Sequence, residues 1–309
     1  MKTRTLLFIF LIQAVFAAFS PISVLRAENL SLTITEPVPG GSYPAGPITV
    51  RGTFSSDTPD VGIVVNGRPA AILGNLFVAQ DISLRAGSNF LTLHARTWDG
   101  TMSSASLGVR ATEPERDEYL RLDSNYWCGT PPLEVAFSLD GEYGEQTAYA
   151  LDADGDGAFD GTITERKHLD FTYTRPGVYI ATAVPDKGTG TYDSLERIVV
   201  VEDPNFLAPV LTGRWDDLNL SLAKGDIRRA VDFFIPASRS KYAGLYLALR
   251  EKLPDMARSA SPPAFVHMEN GRAKLRVRRE EEWKGKMETI TYYIYLVRDF
   301  DGVWRIDQF

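Results

Sequence analysis

The run Leu151-Asp152-Ala153-Asp154-Gly155-Asp156-Gly157-Ala158-Phe159-Asp160 places four carboxylates around two glycines, and what flanks it decides the fold. Alternate acidic residues on a tightly turned backbone can offer several oxygens to a hard cation such as calcium, which takes six to eight at about 2.3 to 2.6 Å. Gly155 and Gly157 permit the positive φ values that let a chain close around an ion. A helical calcium hand is excluded. Counted from Asp152, Gly157 falls correctly at the sixth place, but Ile163 stands at the twelfth, where a bidentate Glu is required. The flanks Leu133-Glu134-Val135-Ala136-Phe137 and Phe171-Thr172-Tyr173 are strand-like instead. Asp152, Asp154, Asp156 and Asp160 are therefore the candidate calcium ligands, with an affinity of the weak extracellular kind, on the order of 10⁻⁴ to 10⁻³ M. The competing reading is a solvated acidic hairpin that holds no ion.

Pro131-Pro132-Leu133-Glu134-Val135-Ala136-Phe137 before the loop, and Phe171-Thr172-Tyr173 with Pro176-Gly177-Val178-Tyr179 after it, resemble the polycystic kidney disease-type (PKD) repeat in order and spacing. The resemblance implies an immunoglobulin-like sandwich over residues 113–203 and carries the ligand role onto Asp152, Asp154, Asp156 and Asp160. Leu151 and Phe171-Thr172-Tyr173 depart from the family's pattern without removing an oxygen.

Upstream, residues 28–112 alternate apolar and polar side chains between frequent turn residues, which predicts antiparallel strands. Asn66-Gly67 is a strong hairpin signal, and Leu91-Thr92-Leu93-His94-Ala95-Arg96 places its odd positions in a core and His94 in solvent. Ile34-Thr35-Glu36-Pro37, Val65-Asn66-Gly67 and Gly87-Ser88-Asn89 resemble the bacterial immunoglobulin-like modules of secreted glycanases and surface proteins. Those motifs are turn and core positions, so they imply a sandwich and no catalysis.

Downstream, residues 204–309 change period. Trp215, Leu218 and Leu222 recur at helical spacing, Lys224-Gly225-Asp226 interrupts it, and Ile227, Ala230, Val231 and Phe234 resume it. Tyr242, Leu245, Tyr246, Leu249 and Leu253 form one apolar stripe that predicts a third helix ending at Pro254. Strands follow, with Ala273, Leu275 and Val277 alternating against Lys274, Arg276 and Arg278. Helices ahead of a twisted antiparallel sheet make an α+β unit. Trp215, the Ala223-Lys224-Gly225-Asp226 turn and the closing Arg298-Asp299-Phe300-Asp301-Gly302-Val303-Trp304-Arg305-Ile306 resemble the nuclear transport factor 2-like cone. The fold expected is thus multidomain: two immunoglobulin-like sandwiches and then helices on a sheet, with Val201 to Asn205 as a linker and a C-terminal module that folds alone.

Lys2 and Arg4 precede an apolar run from Leu6 to Phe19, and small residues lead to Ala27, so residues 1–27 read as a signal peptide and the chain as exported, to a periplasm or beyond. No further apolar run predicts a transmembrane segment in the mature chain. The one cysteine, Cys128, cannot close an intramolecular disulfide and reads as a buried apolar residue. Residues 113–203 hold 20 acids against 7 bases, which argues against a nucleic-acid partner. Residues 204–309 hold 14 acids and 18 bases, including Lys274, Arg276, Arg278 and Arg279, which are expected to project from one sheet face as a candidate interaction surface.

Nucleophile elbows, zinc-protease helices and phosphate loops are all missing from the sequence, and His94, His168 and His267 lie in three different segments, so no catalytic residue is assigned. Tyr292, the face of Tyr293 and Tyr295, and the acids Asp232 and Glu288 are the candidates for lining a cavity in the cone. The function expected is a non-enzymatic exported scaffold that presents its C-terminal unit to a protein or cell-surface glycan, with calcium stiffening the middle unit. Small apolar ligand binding or catalysis in the cone, and carbohydrate binding as an accessory protein, are the competing expectations.

Overall fold

The computed structural model describes residues 29–113, 120–141, 148–164, 166–185 and 194–309. The expected signal peptide lies outside them. The N-terminal strands are β1 (Ser31–Glu36), β2 (Ser42–Pro44), β3 (Gly46–Ser55), β4 (Val61–Val65), β5 (Arg68–Pro69), β6 (Ala71–Leu73), β7 (Leu76–Leu84), β8 (Gly87–Thr97) and β9 (Met102–Thr112). They form two facing sheets, in the orders β1-β3-β7-β6 and β2-β9-β8-β4-β5. Alternation decides which side chains meet between them: Leu91, Leu93 and Ala95 of β8 are buried with Val50, Ile63, Phe77 and Ile82, while His94 faces water. Asn66 and Gly67 both take positive φ, as the two-residue turn joining β4 to β5 requires.

The middle strands are β10 (Leu120–Ser124), β11 (Cys128–Gly129), β12 (Leu133–Gly141), β13 (Tyr149–Asp152), β14 (Gly161–Ile163), β15 (Leu169–Tyr173), β16 (Gly177–Pro185) and β17 (Leu195–Val201). A sheet ordered β10-β12-β15 faces β14-β13-β16-β17, and Val135, Phe137, Tyr149, Leu151, Tyr173 and Val199 fill the space between.

The C-terminal part carries α1 (Pro204–Ala223), α2 (Ile227–Asp232), α3 (Pro236–Ala248) and α4 (Leu253–Arg258), then β18 (Ala264–Glu269), β19 (Arg272–Trp283), β20 (Lys286–Arg298) and β21 (Trp304–Gln308). Leu211, Trp215 and Leu218 of α1 and Tyr242 and Tyr246 of α3 pack on Leu275, Val277, Ile294, Leu296 and Ile306. Burying each such side chain stabilises the fold by about 1.5 to 3 kcal/mol. Pro254 does not end the third helix. α3 stops at Ala248, and Pro254 sits in the first turn of α4, where its missing N–H would lack a partner anyway. The apolar stripe is correspondingly narrower than expected, for Leu245 is exposed.

The middle and C-terminal parts share one sheet. β11 pairs in parallel with β17 on one side, and Gly129 pairs with Glu269 of β18 on the other, which makes a continuous nine-stranded sheet among the described residues. Gly129 has to be glycine here, since a Cβ would lie 2.5 Å from Leu133 and 2.9 Å from the Met268 carbonyl. Residues 201–205 are accordingly no free linker: Val201 ends β17, Glu202 is buried, and Asp203 caps α1 by accepting the Asn205 N–H at 2.8 Å.

The N-terminal sandwich touches both other parts. Gln80 exchanges two hydrogen bonds with the Ile198 backbone, at 2.6 and 3.3 Å. Asp81, at φ 57 beside a β-bulge in the β3–β7 pairing, is turned toward Arg197, 3.0 Å away. On the C-terminal side, buried Arg214 pairs with Asp60, lies 3.7 Å over the Trp98 ring, and donates to the Trp304 carbonyl at 3.3 Å. Burial lowers its pKa to about 9, so it stays charged at neutral pH.

Candidate metal and interaction sites

The acidic loop leaves β13 and returns as β14. Asp152 accepts the Gly155 and Gly157 N–H groups, at 2.7 and 2.9 Å, and the two glycines take φ 75 and 89. These bonds wind the loop so that carboxylate oxygens of Asp152, Asp154 and Asp156 lie within 4.8 Å of one another. Two ligands of a single calcium ion, each at about 2.4 Å, can be no farther apart than about 4.8 Å, so the three carboxylates fit one ion. Asp160 does not belong to that group. Its carboxylate accepts the Ala153 N–H at 2.8 Å and its own N–H donates to the Leu151 carbonyl, closing the neck of the loop. Beneath the loop, the Tyr173 hydroxyl donates to the Ala153 carbonyl at 2.6 Å. Burial first, then the charges of Asp154 and Asp160, push its phenol above the ordinary tyrosine value.

On β19, Lys274, Arg276 and Arg278 share the outer face, opposite Ala273, Leu275 and Val277. Arg279 does not join them. With a side-chain period of two it falls on the inner face, where it pairs with Glu281. Lys274 lies 4.1 Å over the Tyr293 ring, and Arg272 lies 4.9 Å over Tyr295. Among the described residues none of Lys274, Arg276 and Arg278 forms an ion pair, and the middle part joins this sheet edge to edge rather than across its face. Among the described residues the basic face is therefore not docked onto the chain's own acidic middle.

The candidates for a cavity in the C-terminal part separate in the same way. Tyr292 is half-buried on the helix-covered face, whereas Tyr293 and Tyr295 lie on the opposite one. Asp232 is exposed on α2 and Glu288 is exposed on β20, so neither of these two acids joins Tyr292 in an enclosed site. Instead a stack of rings, Phe234 on Tyr242 at 4.0 Å and Tyr242 on Phe309 at 5.1 Å, fills the space under the helices. Cys128 is buried as expected, and burial together with Glu202 raises its thiol to about 12. His168 and His267 are exposed.

No family model matches the chain, and no curated protein matches it. Among solved structures it is similar to the fibronectin(III)-like modules of CbhA from Clostridium thermocellum, with 18% identity over 57% of this chain and 96% of that one and a TM-score of 0.23. The N-terminal Ig1-2 module of the Drosophila receptor protein tyrosine phosphatase DLAR aligns with 11% identity over 57% and 98% of the two chains, with a TM-score of 0.25. Domains 5-6 of the S-layer protein SbsC give 11%, 57%, 99% and 0.25 in the same terms. The architecture stands on the strand pairing itself.

Sequence reasoning missed two features. The outer half of the β19–β20 hairpin stands clear of the helices: β18 pairs with β19 only as far as Arg276, and β21 pairs with β20 only from Tyr295. Trp283 (58% exposed), Met287 (65%), Ile290 and Tyr293 line this arm. The other feature is a junction in which Glu202 accepts hydrogen bonds from Arg298 at 2.8 and 3.0 Å and from the Ile72 N–H at 3.2 Å, tying all three parts together. The arm had only a faint signal, because the alternation stops at Val277 and Arg278 to Glu282 are all charged although β19 runs on to Trp283. The junction had none, because its members lie far apart in the chain.

Proposed function

We propose that the chain is an exported, non-enzymatic binding protein, in which a PKD-like middle unit and a nuclear transport factor 2-like C-terminal unit are held by the N-terminal sandwich as a rigid support for the β19–β20 arm. The observation that carries this reading is the arm itself. Over 277–283 and 286–294 both strands lack an outer neighbour among the described residues, so their edge N–H and C=O groups are free for a further strand. Natural edges of this kind are usually kept short, bulged or covered. Here the arm is long and carries exposed apolar side chains at its tip. An extended protein segment adding to the β20 edge would gain main-chain hydrogen bonds and side-chain pockets at alternate positions. Calcium at Asp152, Asp154 and Asp156 would hold the middle unit's loop, with Asp160 bracing its neck. A protein rather than a glycan is the partner favoured, since the exposed aromatics Phe90, Phe159, Phe206, Trp283 and Phe300 sit on separate elements instead of in a row.

The test is photo-crosslinking of the full chain in its own cells from a probe placed at Met287. The expected result is a discrete protein adduct that Trp283→Ser with Ile290→Ser reduces, while a probe at exposed Phe90, on the far sandwich, gives none. Equal yields from both positions, or no adduct at Met287, would overturn the assignment of the arm.

A further inference from the structure

A cleft of about 580 Å³ opens between the N-terminal sandwich and the C-terminal part, in a place the arm and the acidic loop do not reach. Arg96, Arg229, Arg239 and Arg305 converge on it, with Trp98 and Phe300 as its aromatic wall. Only two carboxylates, Asp99 and Asp232, line it as well. Asp99 already accepts the Thr101 N–H at 3.1 Å, and Asp232 lies 3.9 Å from Arg239, too far for a strong pair. Asp301 lies 3.4 Å from Arg96 and, with Asp299, also answers Arg305, so Arg229 and Arg239 are the cleft's weakly paired charges. An anion entering the cleft would meet those two guanidinium groups.

Its floor is rigid. Gly302 of the β20–β21 turn lies so close to β4 that a Cβ would fall 2.6 Å from the Ile63 nitrogen. Arg305 is held there by Asp301, at 2.6 and 2.7 Å, and by Asp299 at 2.9 Å. Its Nε nevertheless remains buried without a hydrogen-bond partner. A buried N–H left unmade costs free energy, which an acceptor able to reach it would recover. Among the described residues Arg229 forms no ion pair, and α3 begins at Pro236 on the cleft wall with no side chain capping it, which adds the positive end of a 13-residue helix. Phe300 is 67% exposed at the rim, an uncovered ring beside the arginines.

We infer that this cleft binds a small organic oxyanion, a phosphate, sulfate or carboxylate carried on a ring. Guanidinium groups hold such oxygens by paired hydrogen bonds, and Phe300 with the Trp98 edge takes the ring. The volume suits a single ring with its substituent, since ligand pockets run from about 300 to 1,000 Å³.

Calorimetric titration of the full chain at low salt with phenyl phosphate, phenyl sulfate, benzoate, inorganic phosphate and benzyl alcohol tests this. Ring-bearing anions are expected to bind, the tightest of the three identifying the oxyanion, and benzyl alcohol is expected to give no heat. Arg229→Gln and Arg239→Gln, each on a helix surface, are each expected to weaken the anions about tenfold, the worth of one charge-assisted hydrogen bond. Phe300→Ala is expected to weaken phenyl phosphate and leave inorganic phosphate unchanged. The inference fails if no anion binds, if both arginine variants bind as the parent does, or if benzyl alcohol matches phenyl phosphate.

Discussion

Replacing Glu202 by Gln is expected to loosen the whole molecule, because that one carboxylate joins its three parts. Glu202 is 2% exposed and sits at the end of β17; Ile72 belongs to the N-terminal sandwich and Arg298 to β20. The Arg298 guanidinium is itself buried, 4.7 Å over the Trp304 ring. Gln keeps the shape and can still accept the Ile72 N–H, so the substitution removes charge and little else. Breaking a buried pair from one side leaves an uncompensated charge and costs about 3 to 5 kcal/mol. Set against a total stability of about 5 to 15 kcal/mol, that is a third or more of the whole. In urea, with a slope of about 3 kcal/mol/M, the midpoint is expected to fall by about 1 M or more. The double variant Glu202→Gln with Arg298→Met removes the stranded charge and sets a thioether on Trp304, so most of the loss is expected to return. Far-UV circular dichroism and tryptophan fluorescence together follow the transition, and their coincidence establishes that one unfolding step is being compared. A single variant within 1 kcal/mol of the parent, or a double variant as unstable as the sum of both singles, would refute the account of the junction.

Two further outcomes are expected. Calcium at about 10 mM is expected to stabilise the chain by about 1.4 to 2.7 kcal/mol for a dissociation constant between 10⁻³ and 10⁻⁴ M, and Asp154→Ala to abolish the rise in melting temperature; an unchanged melting curve for the parent removes calcium from the account. Burial alone would raise the Asp301 carboxyl, but the hydrogen bonds and charge of Arg305, the Val303 N–H and Arg96 hold it below the usual carboxylate range. The unfolded chain therefore binds that proton more readily, so Asp301's contribution is complete above about pH 4 and is lost as pH falls through the folded value. Melting temperatures from pH 6 downward are expected to fall more steeply for the parent than for Asp301→Asn, and parallel curves would show that the Asp301–Arg305 pair contributes nothing.

Local periodicity was legible throughout the sequence. The alternation in β8, the Asn66-Gly67 turn and the Lys224-Gly225-Asp226 break each act through neighbouring residues, and each stands where the pattern put it. Tyr293, Tyr295 and Arg279 were misplaced by parity alone. Counting in twos from buried Val277 and Ile294 puts Arg279 and Tyr292 on the inner face, and Tyr293 and Tyr295 on the outer one. Pro254 shows a different limit, since proline stops one helix and opens another with equal ease, and only packing decides between them.

What no pattern could supply is the way the parts are joined. β11 is two residues long, too short for any period to register, yet it fuses two sheets into one. Charges are answered between parts as well as within them: Arg197 of the acidic middle answers Asp81, Glu202 answers Arg298, and Arg214 answers Asp60. Exposed pairs of this kind contribute little, but these lie between packed surfaces, where losing one partner is costly. It follows that separating the chain at Pro204 would strand Arg214 and Arg298 without their counter-charges and expose the cut edge of β18. A C-terminal fragment would then carry newly unpaired backbone groups at Met268 to Asn270 as well as those along the arm, so its edges would no longer be distinguished as they are in the full chain.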